Sequence, residues 1–157
     1  FFLFLLSDYW RKHSTKKYDI MGKIATFKGE LTMKRRQARE LALQALFQLD
    51  NHEITIEEAI GHVTEENNPF LTDLVKGTIE HKDEIDTSLT DKLENWSLSR
   101  LPKIERTVLR IAVYELLYAN EAPAKVVINE ALEICKIYGD EKSSRFVNGV
   151  LSKYTDQ

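Results

Sequence analysis

Residues 104–119, IERTVLRIAVYELLYA, constrain the fold more than any other stretch of the chain. At 100° per residue, Val108, Leu109, Ala112, Leu116 and Ala119 share one arc. Ile111 flanks that arc on one side, Val113 and Leu117 on the other. Most of the circumference is therefore apolar, and such a helix must be covered by neighbours on several sides. Only the strip of Arg106, Arg110 and Tyr114 is polar, at the i, i+4 spacing of neighbours on a helix face. Pro102 suits the first turn. Glu105 reads as the one misplaced charge, inside the apolar arc, where the nearby helix N-terminus would stabilise it. The expectation is the hub of a helical bundle.

Amphipathic segments flank this hub. A first helix is expected over residues 33–50, with Ala38, Leu41, Ala42, Ala45, Leu46 and Leu49 inward. Thr55-Ile56-Glu57-Glu58 matches a capping box and opens a short second helix. Asn68 as N-cap and Pro69 at N1 start a third, running to about Ser88. A fourth follows to Asn95, with Leu89 and Leu93 inward and Trp96 plugging the seam beside the hub. A sixth over residues 124–138 buries Val127, Ala131, Ile134, Cys135 and Tyr138 and ends at Gly139. Asp140 caps the last, whose inner face is Phe146, Val147, Val150, Leu151 and Tyr154. No strand-like alternation competes, so the fold class is all-α with about seven helices. Its 157 residues form one domain, or two small helical subdomains sharing a central element.

Residues 1–32 read differently. FFLFLL is far short of the roughly 20 residues needed to span a bilayer, and it lacks the basic start and small-residue end of a signal peptide. Lys28-Gly29-Glu30 back-translates to a purine-rich sequence that can contain a bacterial ribosome-binding site, two codons before Met33. The expectation is that Met33 is the true start and residues 1–32 are a non-native or disordered upstream extension. Peptides from before Met33 in a mass spectrum of the native N-terminus would overturn it. The domain proper is then residues 33–157. It holds 16 basic and 22 acidic residues, a net −6 against −3 for the whole chain. That balance excludes a protein that coats nucleic acid through bulk charge.

Catalytic chemistry is thin. The histidines show no metal-ligand spacing, the one cysteine cannot build a thiolate site, and no glycine-rich phosphate loop follows a strand. Cys135 lies on a buried stripe, where packing is its expected role and a reducing compartment its expected setting. No enzyme, cofactor or metal is expected. The sharpest local feature is Lys34, Arg35, Arg36 and Arg39, four cations in six positions. Arg36, Arg39, Leu43 and Phe47 follow at helical spacing on the face away from the buried stripe. Guanidinium groups continuing into an exposed ring suit single-stranded RNA, by phosphate contact and base stacking. The plainer alternative, a solvated end with Phe47 covered by a neighbour, is favoured by composition alone. Gly149 sits off the inner stripe of the last helix, where close packing is its expected reason.

MKRRQARELALQALFQLD, KIERTVLRIAVYELLY and VVINEALEICKIYGDEKSSRFVNGVLSKY, in that order and spacing, closely resemble the NusB family of bacterial transcription antitermination factors, over residues 33–154. The resemblance implies an all-α fold of two small helical subdomains around a central buried helix. It implies a cytoplasmic, non-membrane RNA-binding protein that binds boxA RNA of ribosomal RNA leader transcripts. The implied partner is NusE, a small-subunit ribosomal protein, and the complex joins RNA polymerase and other Nus factors and keeps the polymerase processive. Mapped by motif, it assigns RNA contact to Lys34, Arg35, Arg36, Arg39, Gln44 and Phe47, and to Arg145, Phe146 and Asn148 in RFVNG. Asp140 or Glu141 fills the acidic turn before that segment. Gln37 stands where some relatives carry Arg, and Phe47 where many carry Tyr. Which of Glu105, Glu115 or the acidic run over 80–86 meets the partner stays open. Two alternatives remain. One is the N-terminal module of a ribosomal RNA cytosine methyltransferase, which would need a further domain after Gln157; the other is a scaffold without RNA contact.

Overall fold

A computed structural model describes residues 34–155; the start-site reading of 1–32 lies outside the described residues. Helix α1 is Arg35–Leu49, α2 Ile56–Val63, α3 Pro69–Glu80 and α4 Lys82–Lys92. A 3₁₀ turn, Leu98–Arg100, leads into the hub α5, Lys103–Tyr114. The hub widens into a π-helical turn, Glu115–Ala119, and α6 (Ala124–Tyr138) and α7 (Glu141–Ser152) follow. The described residues thus hold seven α-helices and no strand, the all-α class expected.

The starts of the helices follow their sequence signals. Thr55 Oγ1 accepts the Glu58 N–H at 3.1 Å while the Glu58 carboxylate accepts the Thr55 N–H at 2.8 Å, a complete capping box. Asn68 Oδ1 accepts from Leu71 N–H and Asp140 Oδ1 from Ser143 N–H. Helix α1 packs on α2 and α3, and α6 packs on α7. The two groups meet at α5, which touches α1, α3, α4, α6 and α7. Leu43, Leu71, Leu74, Ile85, Leu89, Leu109 and Leu151 are fully buried around it. At about 1.5–3 kcal/mol for each such side chain removed from water, this core is the main stabilising term.

Several expectations need correction. The third helix does not run to Ser88: it ends at Glu80, and α4 starts at Lys82. His81 turns the chain there, its backbone N–H and its Nδ1 both directed at the Gly77 carbonyl at 3.0 and 2.9 Å. The apolar period runs through the break, which hides it from sequence. The hub also stops short of Ala119 as an α-helix. Its π turn accommodates one more residue per turn, which shifts the phase and leaves Leu117 and Tyr118 exposed. Asn120, left-handed at φ 50°, closes it with its N–H on the Glu115 carbonyl. Tyr114, read as part of a polar strip, is buried, its hydroxyl donating to Asp73 at 3.1 Å. Trp96 is no plug: it is 57% exposed, following Asn95 in a left-handed conformation at φ 60°. Among the described residues no helix is long and apolar enough to cross a membrane.

Candidate nucleic-acid interface

The candidate site begins at the head of α1. Lys34 is exposed at the N-cap position, and no side chain of the described residues caps the first turn. The N–H groups of a helix's first turn, beside cations, suit an anion. The next three cations each meet a carboxylate from the far half of the chain. Arg35 lies 3.1 Å from Glu121, its guanidinium 4.5 Å above the ring of Phe70. Arg36 donates from Nε and Nη2 to the two oxygens of Glu130, both at 2.8 Å. Arg39 does the same to Glu115 at 2.8 and 2.7 Å, and stands 5.2 Å from the same Phe70 ring. The hydrogen bonds from Arg36 hold the Glu130 carboxyl below its usual range, against the opposing effect of burial.

The three pairs differ in depth. Arg35 and Glu121 are exposed on both sides, Arg36 is half-exposed over a mostly covered Glu130, and Arg39 with Glu115 is buried. The expected outward stripe of Arg36, Arg39, Leu43 and Phe47 therefore does not exist as read. Arg39 is 4% exposed and Leu43 wholly buried, because α1 is covered by α2 and α3 on one side and by α5 on another. Burying a guanidinium is tolerable only with a carboxylate in good geometry, and Glu115 supplies it. In the sequence its one sign is a Glu inside the apolar run of the hub, which does not say which cation it will meet. Gln44 is half-buried, and so is Phe47, with the Lys103 ammonium 5.1 Å over its ring. Lys103 also donates to Asn51 Oδ1.

The second set of candidates lies on α7. Arg145 is exposed, and Asn148 is exposed with its carbonyl accepting from Ser152 Oγ at 2.7 Å. Phe146 is half-buried and meets the edge of Trp96, ring centroids 6.1 Å apart. Asp140 is held below the usual carboxylate range by hydrogen bonds from the Ser143 N–H and side chain. A Cβ on Gly149 would meet nothing within 4 Å, so packing within the described chain is not its reason. The two sets sit in different neighbourhoods: the α1 cations against α6 and the turn after the hub, Phe146 against the connection between α4 and α5. Trp96, beside Phe146, is the exposed aromatic that sequence reasoning placed inside.

Elsewhere the structure offers little chemistry. Burial, and then the charge of Glu105, pushes the Cys135 thiol up to about 12, which makes it a packing residue. Glu105 itself is 9% exposed in the first turn of α5. The described residues contain no group of three or more His, Cys, Asp or Glu placed to hold a metal.

Comparison with known proteins gives this geometry a context. Residues 36–156 match the model of the NusB family. A transcription antitermination protein NusB of Lysinibacillus sphaericus is 63% identical over 126 residues, covering 80% of this chain and 99% of its own. That of Bacillus subtilis is 49% identical over 122 residues, covering 76% and 93%. Among solved structures, T. maritima NusB superposes with a TM-score of 0.72 at 34% identity, over 81% of this chain and 94% of that one. A crystal structure of the antitermination factors NusB and NusE in complex with dsRNA superposes at 0.70 and 31% identity, over 76% and 94%. The chain belongs to the NusB family.

Proposed function

We propose that this protein is a transcription antitermination factor that binds boxA RNA of ribosomal RNA leader transcripts together with NusE, and so keeps RNA polymerase processive. One observation carries the reading: 76% of the chain superposes on a relative captured with NusE and dsRNA, and the fold keeps a cationic helix start exposed. Lys34, Arg35 and Arg36 supply the phosphate contacts, Gln44 and Phe47 continue along α1, and Arg145, Phe146 and Asn148 form a second, separate contact set on α7. Arg39 holds the tip in place from inside. The protein is a binding module rather than an enzyme, and it works in the cytoplasm, where the polymerase does. Net −6 over residues 33–157 favours a basic ribosomal protein as co-binder over long-range attraction to RNA alone.

The test is a titration of labelled boxA RNA, single-stranded and as a duplex, with and without saturating NusE at fixed salt. NusE is expected to tighten RNA binding, with a coupling of about 1–3 kcal/mol that RNA returns to NusE by linkage. Equal dissociation constants in the two series would sink the co-binding mechanism. Arg36→Ala is expected to weaken binding and to flatten the salt dependence, by at most about 0.7 in log–log slope for a single strand.

A further inference from the structure

The cations at the head of α1 are neutralised before any RNA arrives. Three of the four between residues 34 and 39 are paired across the fold, to Glu115, Glu121 and Glu130. Resting on the RNA-binding reading above, we infer that Glu130 and Glu121 are competing carboxylates: phosphates bind Arg36 and Arg35 by exchange with these side chains, so the two glutamates set RNA affinity and its salt dependence.

Geometry and exposure carry the argument. A guanidinium matches a phosphate best through a bidentate edge, and the Nε–Nη2 edge of Arg36 is filled by both oxygens of Glu130. A phosphate must displace that carboxylate or sit beside it, and like charges so close repel. Exchange is feasible because the Arg36 side chain is 49% exposed and Glu130, at 17%, still reaches water, unlike Glu115 at 5%. Arg35 and Glu121, both more than half exposed, form the looser pair. Arg39 is excluded from exchange, since its departure would strand Glu115 in the core. It is a positioning residue. Counterions follow the same logic. A phosphate taking Arg36 from Glu130 frees a carboxylate that gathers cations from solution, which offsets part of the release from RNA. The salt dependence of the wild type is therefore shallower than its count of cations implies.

A carboxylate that merely aimed Arg36 at RNA would act with the opposite sign, so substitution distinguishes the two. Glu130→Gln and Glu121→Gln in the full chain are titrated with labelled boxA RNA over a salt series. Glu130→Gln is expected to bind roughly two- to fivefold tighter at low salt, the worth of a partly exposed ion pair, with a slope steeper by up to about 0.7. Glu121→Gln should shift the same way by less. Arg36→Ala combined with Glu130→Gln should bind no tighter than Arg36→Ala alone. Binding by Glu130→Gln that is equal to or weaker than wild type overturns the exchange and leaves the RNA reading standing. Failure of the wild type to bind RNA, with or without NusE, overturns the RNA reading itself. Glu121→Gln, exposed on both sides, keeps the test available should Glu130→Gln fail to fold.

Discussion

The ring of Tyr114 fills the space that a side chain at Gly77 would need. A Cβ built on Gly77 would stand 2.0 Å from the ring carbon that bears the hydroxyl, and the hydroxyl reaches Asp73 one turn earlier on α3. The hub and α3 thus approach as closely as they do because one of them carries glycine. Gly77→Ala is expected to destabilise the fold by about 1–3 kcal/mol, the cost of overpacking, read as a lower urea midpoint. Gly149→Ala should have the opposite sign. A Cβ there meets nothing within 4 Å, and alanine gains up to about 1 kcal/mol over glycine in a helix. The same substitution with the same sign at both sites would refute the packing argument.

Arg36 and Arg39 lie one turn apart and make the same bidentate bond, yet their loss should differ in kind. Arg39→Ala leaves Glu115 buried without its partner, at a cost of about 3–5 kcal/mol, whereas Arg36→Ala breaks a partly exposed pair worth at most about 1 kcal/mol. Thermal or urea unfolding of the two variants checks this. Replacing Arg39 and Glu115 together by apolar residues of similar size should recover most of the stability. Equal small losses for both single variants would put Arg39 back on the surface.

Helix existence and the hub were legible because both depend on local period and on strong punctuation. Thr55, Asn68-Pro69 and Asp140 act within their own turns, so their caps can be read from a few letters. What sequence hid are the effects of partners far along the chain. Nothing within α1 says that Arg39 will meet Glu115, 76 residues on. The break at His81 has no glycine or proline to mark it, only a side chain that finds the Gly77 carbonyl. The π turn has no letter of its own either, and it turned an apolar arc outward at Leu117. Of the candidate site, the cationic start was readable as composition, but its ion pairs with the second half of the chain were not.

Trp96 illustrates the same limit. Its size argued for the interior, but the left-handed turn at Asn95 sends the ring outward to meet Phe146 by its edge. Trp96→Ala is therefore expected to change stability by less than about 1 kcal/mol, as surface substitutions do. Leu109→Ala, fully buried in the hub, should cost about 2–5 kcal/mol. Urea midpoints of the two variants measure the contrast, and a loss at Trp96 as large as at Leu109 would restore it to the core.

Alkaline pH should unfold the protein through two buried groups. Burial, with the Asp73 hydrogen bond behind it, holds the Tyr114 hydroxyl protonated up to about 12, against an ordinary value of 10. Burial, and then Glu105, does the same for the Cys135 thiol, from 9 to about 12. In the unfolded chain both groups lose their protons at the ordinary values. Well below pH 9 neither state is ionised at these sites and the stability is at its full value. As pH rises from 9 for the thiol and 10 for the phenol, only the unfolded chain gains by ionising. Stability then falls, by up to about 1.4 kcal/mol per pH unit for each group, until the folded values are reached. Urea titrations of wild type, Cys135→Ala and Tyr114→Phe across this range separate the two. Cys135→Ala should begin its decline only near pH 10, and above pH 10 each variant should fall with about half of the wild-type slope, each measured against its own stability at neutral pH. A Tyr114→Phe variant that declines as steeply as wild type above pH 10 would show that the phenol is not what couples folding to alkali.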